Sequence, residues 1–106
     1  MNYFELGDNG PYISQIGLGT MMMGLRTNHA ESQKIISTAC DFGITLIDTS
    51  VSYSRGFSHE IIDQSLANLK IRDKFTLATK VGGVSYDNDL EHYRGYSKKN
   101  INKWGL

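Results

Sequence analysis

The sequence predicts an α/β fold built on a parallel sheet, and three observations carry that prediction. Apolar, strand-like runs alternate with segments of helical period, the pattern of strand–helix units joined by right-handed crossovers. The run ITLID, residues 44–48, is apolar almost without interruption, as suits a strand covered on both faces. Charged residues, Asp48 and Lys80, close two successive apolar runs, at the edge where α/β proteins gather their ligands.

Each element has its own justification. Residues 3–16 read as two short strands around GDNGP, and the Asn9-Gly10 pair is a tight-turn signal, so a hairpin opens the chain. ISQIGLGT is a strand that ends in glycines. NHAE follows as a capping box, in which Asn28 accepts from the first helical turn and Glu31 reaches back. The helix after it carries Ile35, Ile36, Ala39 and Cys40 on one face, and Gly43 stands where a left-handed terminator belongs. ITLID comes next. Ser58 is placed to cap a second helix, with Ile61, Ile62, Ser65, Leu66 and Leu69 toward the sheet. KFTLATKV is a third strand, residues 84–96 read as a polar loop, and Ser97 begins a third helix.

Composition narrows the class. A chain of 106 residues with 40% hydrophobic content and a single proline is one small domain or part of a larger one, and is not disordered. Its formal net charge of zero points away from nucleic acid and from anionic membranes. No apolar stretch is long enough to span a bilayer. The lone cysteine, Cys40, excludes an internal disulfide and fits a reducing compartment, so the cytoplasm is the expected location.

Three residues are positioned for chemistry. Adjacent parallel strands bring their C-terminal ends together, so Asp48 and Lys80 can meet as an ion pair that satisfies both charges. Tyr53 follows Asp48 on the same edge. A neighbouring ammonium stabilises a developing phenolate, so a tyrosine beside a lysine can give a proton to a carbonyl oxygen. A purely structural ion pair with an unrelated tyrosine fits the spacing equally well. GLGTMMMG has glycines at 17, 19 and 24, off the spacing of a dinucleotide fingerprint, yet it permits a close approach of backbone to a flat ligand. His59 and Asp63 stand four apart on a helix without a third ligand, so no metal site is expected.

In order and register, IGLGTMMMG, DFGITLIDTSVSY, GFSHEIIDQSL and RDKFTLATKVG resemble the aldo-keto reductase family over residues 10–83. The resemblance implies the N-terminal part of a (β/α)8 TIM barrel, a hairpin with about three β/α units, the whole of residues 1–106 being a partial aldo-keto reductase domain. It also implies NAD(P)H-dependent reduction of an aldehyde or ketone, or the reverse alcohol oxidation, with NADP as the cofactor and NAD as the alternative. Asp48, Tyr53 and Lys80 match the family's catalytic aspartate, tyrosine and lysine, with Tyr53 as general acid. Gly19, Thr20 and Met21, with Asp48, fall where the family lines the nicotinamide pocket. The sequence departs from the family at His59 and Asp63, where glutamate and glycine are usual.

The family's catalytic histidine lies on a fourth strand that this chain does not reach, and the segments holding the adenosine phosphate come later still. The 106-residue chain alone is therefore expected to be inactive, with open sheet edges that offer a route to self-association. Two other readings stand beside the resemblance: a truncated, non-enzymatic remnant, and a small nucleotide-binding module.

Overall fold

A computed structural model describes residues 1–81 of the chain. The opening hairpin is there, as β1 (Tyr3–Glu5) and β2 (Tyr12–Ser14), antiparallel with Tyr3 opposite Ser14. Its loop is wider than the two-residue turn that Asn9-Gly10 signals. Asn9 does take the left-handed conformation at φ 64, but the loop closes through the Leu6 amide, 2.8 Å from the Pro11 carbonyl.

Three short strands form the sheet: β3 (Gly17–Gly19), β4 (Leu46–Asp48) and β5 (Thr76–Ala78). They run parallel in the order β3-β4-β5. Sequence neighbours are thus sheet neighbours, with a helix in each crossover. That is the winding of a β/α barrel rather than of a doubly wound sheet, whose strand order reverses. Among the described residues the sheet is open.

The helices are α1 (His29–Asp41) and α2 (Phe57–Leu69). Asn28 caps α1 as expected, its side chain accepting from the Glu31 amide at 2.9 Å. At the other end Gly43 has φ 84, and the Gly43 and Ile44 amides bond back to the Cys40 and Ala39 carbonyls, a glycine-terminated helix end. Ser32, Ile36 and Ala39 form the buried face of α1, whereas Ile35 is exposed. On α2 the buried residues are Ser58, Ile62, Ser65 and Leu66.

Ser58 is not the cap of α2. Gly56 holds that position, in the left-handed conformation, and Ser58 lies inside the first turn with its hydroxyl turned toward the β3–α1 connection.

The core lies between the helices and one face of the sheet. Met23, Ile36, Ile47, Ile62, Leu66 and Phe75 are its buried members, with Leu18 and Leu77 packed against them. Register explains the selection. Leu18, Ile47 and Leu77 stand side by side across the three strands, so one layer of apolar side chains meets both helices. The residues before and after them alternate to the other face: Gly17, Leu46 and Thr76, then Gly19, Asp48 and Ala78. Among the described residues that second face is not covered, and Leu46 and Asp48 are half-buried. The unbroken apolar run of ITLID therefore meets only one of the two layers it predicts.

The hairpin attaches to the N-terminal ends of the strands. Ser14 and Thr45 exchange two bonds, each amide donating to the other's hydroxyl at 2.9 Å, and Tyr3 donates to the Gly43 carbonyl at 2.8 Å. The opposite edge, where Asp48 lies, is left free of it. No helix among the described residues is long and apolar enough to cross a membrane.

Candidate active site

Asp48 is the last residue of β4, level with Gly19 on one side and Ala78 on the other. Past the strand ends the ladder continues. The Thr49 amide bonds to the Ala78 carbonyl at 2.8 Å and the Val51 amide to the Lys80 carbonyl at 3.3 Å. The segment after β5 therefore travels beside the segment after β4 and delivers Lys80 to Asp48. The strand is shorter than KFTLATKV suggests: β5 stops at Ala78, and Lys80 lies just beyond it.

The Lys80 Nζ lies 3.0 and 3.2 Å from the two carboxylate oxygens of Asp48 and 2.7 Å from the Thr49 carbonyl. An ammonium has three donors, and these acceptors aim it. Nζ also lies 5.0 Å from the centre of the Tyr53 ring, within cation–π range. Asp48, Lys80 and Tyr53 are thus brought together, as the strand order and spacing lead one to expect. The Thr49 carbonyl is an addition that no side-chain pattern could announce.

Both charged side chains are about half exposed, 51% and 50%. Between groups this open to water an ion pair contributes about 0–1 kcal/mol to stability. The electrostatics favour the charge. Desolvation works to lower the Lys80 pKa, but the hydrogen bonds and charge of Asp48, with a further contribution from Tyr53, outweigh it and raise the pKa above the usual lysine value. Lys80 stays an ammonium.

The residues matched to the nicotinamide pocket occupy the same edge. Gly19 ends β3, and a Cβ there would meet nothing within 4 Å, so space lies open over the strand end. Met21 is 53% exposed beside it. Thr20 is different: its side chain is buried, and its hydroxyl donates to the Asp48 carbonyl at 2.9 Å. Thr20 therefore fixes the turn to β4, while the open surface comes from Gly19 and Met21. A bare backbone beside an exposed thioether leaves room for a flat ring such as the nicotinamide that the resemblance implies.

His59 does not act with Asp63. Its Nε2 is 3.0 Å from the Thr79 hydroxyl, and partial burial lowers its pKa below the usual histidine value. Among the described residues no three His, Cys, Asp or Glu side chains converge as a metal site would need. The loop at 84–96, the helix expected from Ser97 and the end of the chain lie outside the described residues.

Known proteins resemble this chain in sequence and in fold. The sequence matches the profile of the Aldo/keto reductase family over residues 15–104. It is 40% identical over 84 residues to aldo-keto reductase YhdN of Bacillus subtilis, covering 76% of this chain and 25% of that protein. It is 32% identical to aldo-keto reductase dtxS3 of Metarhizium robertsii, covering 100% of this chain and 33% of that one. Among solved structures, the holo form of aldo-keto reductase AKR11C1 from Bacillus halodurans superposes with a TM-score of 0.79 at 27% identity, covering 98% of this chain and 34% of that chain. The chain thus spans between a quarter and about a third of the length of these relatives. The family's members are oxidoreductases that generally use NAD(P)H and act on small carbonyl compounds. With the family profile matched across most of the sequence, this chain belongs to the aldo/keto reductase family.

Proposed function

We propose that this chain carries the proton-donating part of an NAD(P)H-dependent carbonyl reductase site, and that the complete protein reduces an aldehyde or ketone or oxidises the corresponding alcohol. The observation that supports it best is the placing of Lys80 between the Asp48 carboxylate, the Thr49 carbonyl and the Tyr53 ring at the C-terminal edge of the sheet.

A bound dihydronicotinamide, NADPH or NADH, would supply the hydride. The rest falls to the chain. Tyr53 gives its hydroxyl proton to the carbonyl oxygen as hydride reaches the carbonyl carbon, and the developing negative charge on the phenol is met by the Lys80 ammonium. Asp48 and the Thr49 carbonyl hold that ammonium in place. Gly19 and Met21 line one side of the ring's resting place, and Thr20 keeps their turn against β4.

The test is Tyr53→Phe in the full-length protein. General acid catalysis is worth about 10²–10⁴ in rate, so turnover should fall by that factor while cofactor affinity stays near the wild-type value. Turnover equal to wild type would reject Tyr53 as the acid.

A further inference from the structure

The turn after Tyr53 holds the two successive left-handed non-glycine residues among those described. Ser54 and Arg55 both take the left-handed conformation, at φ 50 and 57, and Gly56 continues it at φ 93. For residues other than glycine this crowds Cβ against the following carbonyl oxygen, so two in succession persist only where the surroundings over-determine them. A turn of ordinary right-handed residues would cost less, and it would send the chain after Tyr53 along another path.

The contacts that impose the strain come from the glycine-rich turn after β3. The Ser54 hydroxyl lies 2.8 Å from the Met23 carbonyl and 3.4 Å from the Met21 carbonyl. Four residues on, the buried Ser58 hydroxyl lies 2.6 Å from the Met23 carbonyl and 3.2 Å from the Thr20 carbonyl. The two turns interlock so closely that position 24 favours glycine. Its φ is 89, and a Cβ there would stand 3.1 to 3.3 Å from Phe57, Ser54 and Ile61. Thr20, in the same turn, is bonded to Asp48. A continuous set of contacts therefore joins the Tyr53 turn, the nicotinamide-side turn and the strand end that holds Lys80.

We infer that Ser54 is a positioning residue for Tyr53: its hydroxyl holds the left-handed turn against Met21 and Met23 and so sets the phenol relative to the cofactor. Ser58, wholly buried in α2, anchors the helix; Ser54, next to the phenol, sets its direction. The inference rests on the carbonyl-reductase reading above.

The experiment is Ser54→Gly in the full-length protein, measured beside wild type, Tyr53→Phe and Ser54→Asn. Glycine relieves the left-handed strain and deletes the hydroxyl, so stability and positioning are driven apart. Misplacement of a reacting group by about 1 Å can cost about a hundredfold. The expected result is a kcat about ten- to a hundredfold below wild type, with cofactor Kd unchanged and Tm equal to or above wild type. Ser54→Asn, which tolerates the conformation and keeps a donor, should recover part of the kcat. If Ser54→Gly keeps its kcat while Tyr53→Phe is inactive, this inference is overturned and the reductase reading stands. A kcat loss accompanied by a falling Tm would assign Ser54 to stability and overturn it as well. Wild-type turnover by Tyr53→Phe, or no turnover by the wild type, would remove the reading and this inference with it.

Discussion

Lys80 and His59 show how one edge of the sheet holds two titratable groups in opposite senses. For Lys80 the folded pKa is raised, so its contribution is fully present below the usual lysine value and is lost only as pH rises through the higher folded value. The ammonium that the proposed mechanism needs is thus kept through the physiological range. For His59 burial lowers the folded pKa. The unfolded chain then takes up the proton first, and stability present above the ordinary histidine value is lost as pH falls through the folded one. The full-length protein should lose Tm on acidification from neutrality to about pH 5, and His59→Gln should lose less over that range. Identical declines would mean that His59 is not buried as described. At this scale the sequence revealed much of the candidate site. Asp48 and Lys80 close successive apolar runs, and parallel pairing left them little choice but to meet. Ser54 could not be read the same way, because its partners at Met21 and Met23 lie more than 30 residues away in sequence and no local pattern marks a left-handed serine.

The elements were legible where their signals are local. Asn28 with Glu31 three residues on announced the start of α1, and Gly43 its end. Asn28→Ala removes the acceptor for the Glu31 amide, and such a cap is worth about 1 kcal/mol. The full-length protein should therefore unfold at lower denaturant concentration with an unchanged m-value; an unchanged midpoint would show that the cap contributes nothing. Ser58 was misread for the opposite reason. A serine before an apolar helical run has the composition of a cap, but the cap position is taken by left-handed Gly56, and the hydroxyl serves carbonyls of a distant turn. The same confusion of local type with long-range use affects Ile35, which fits the helical stripe and is nevertheless exposed, while Ser32 beside it is buried.

Across the whole molecule, the hairpin and the strands occupy opposite ends of one plan. Ser14, Thr45 and Tyr3 fasten the hairpin to the N-terminal ends of the strands, leaving the C-terminal edge free for Asp48, Tyr53 and Lys80. The face of the sheet that carries Gly19, Asp48 and Ala78 is uncovered among the described residues, and it is the face a barrel would turn inward. The alternation of strand and helix made this architecture readable. The layer that should cover that face was not readable from Leu46, because apolarity tells that a residue is buried and not by what. The chain spans between a quarter and about a third of the length of these relatives, so the proposed reaction is tested on full-length protein. The most direct measurement supplies full-length protein with NADPH or NADH deuterated at C4 on the transferring face, together with a panel of aliphatic and aromatic aldehydes and ketones, and locates the label in the alcohol by mass spectrometry. One deuterium on the carbinol carbon is the predicted result; no alcohol from any carbonyl, or an alcohol without the label, would contradict the account.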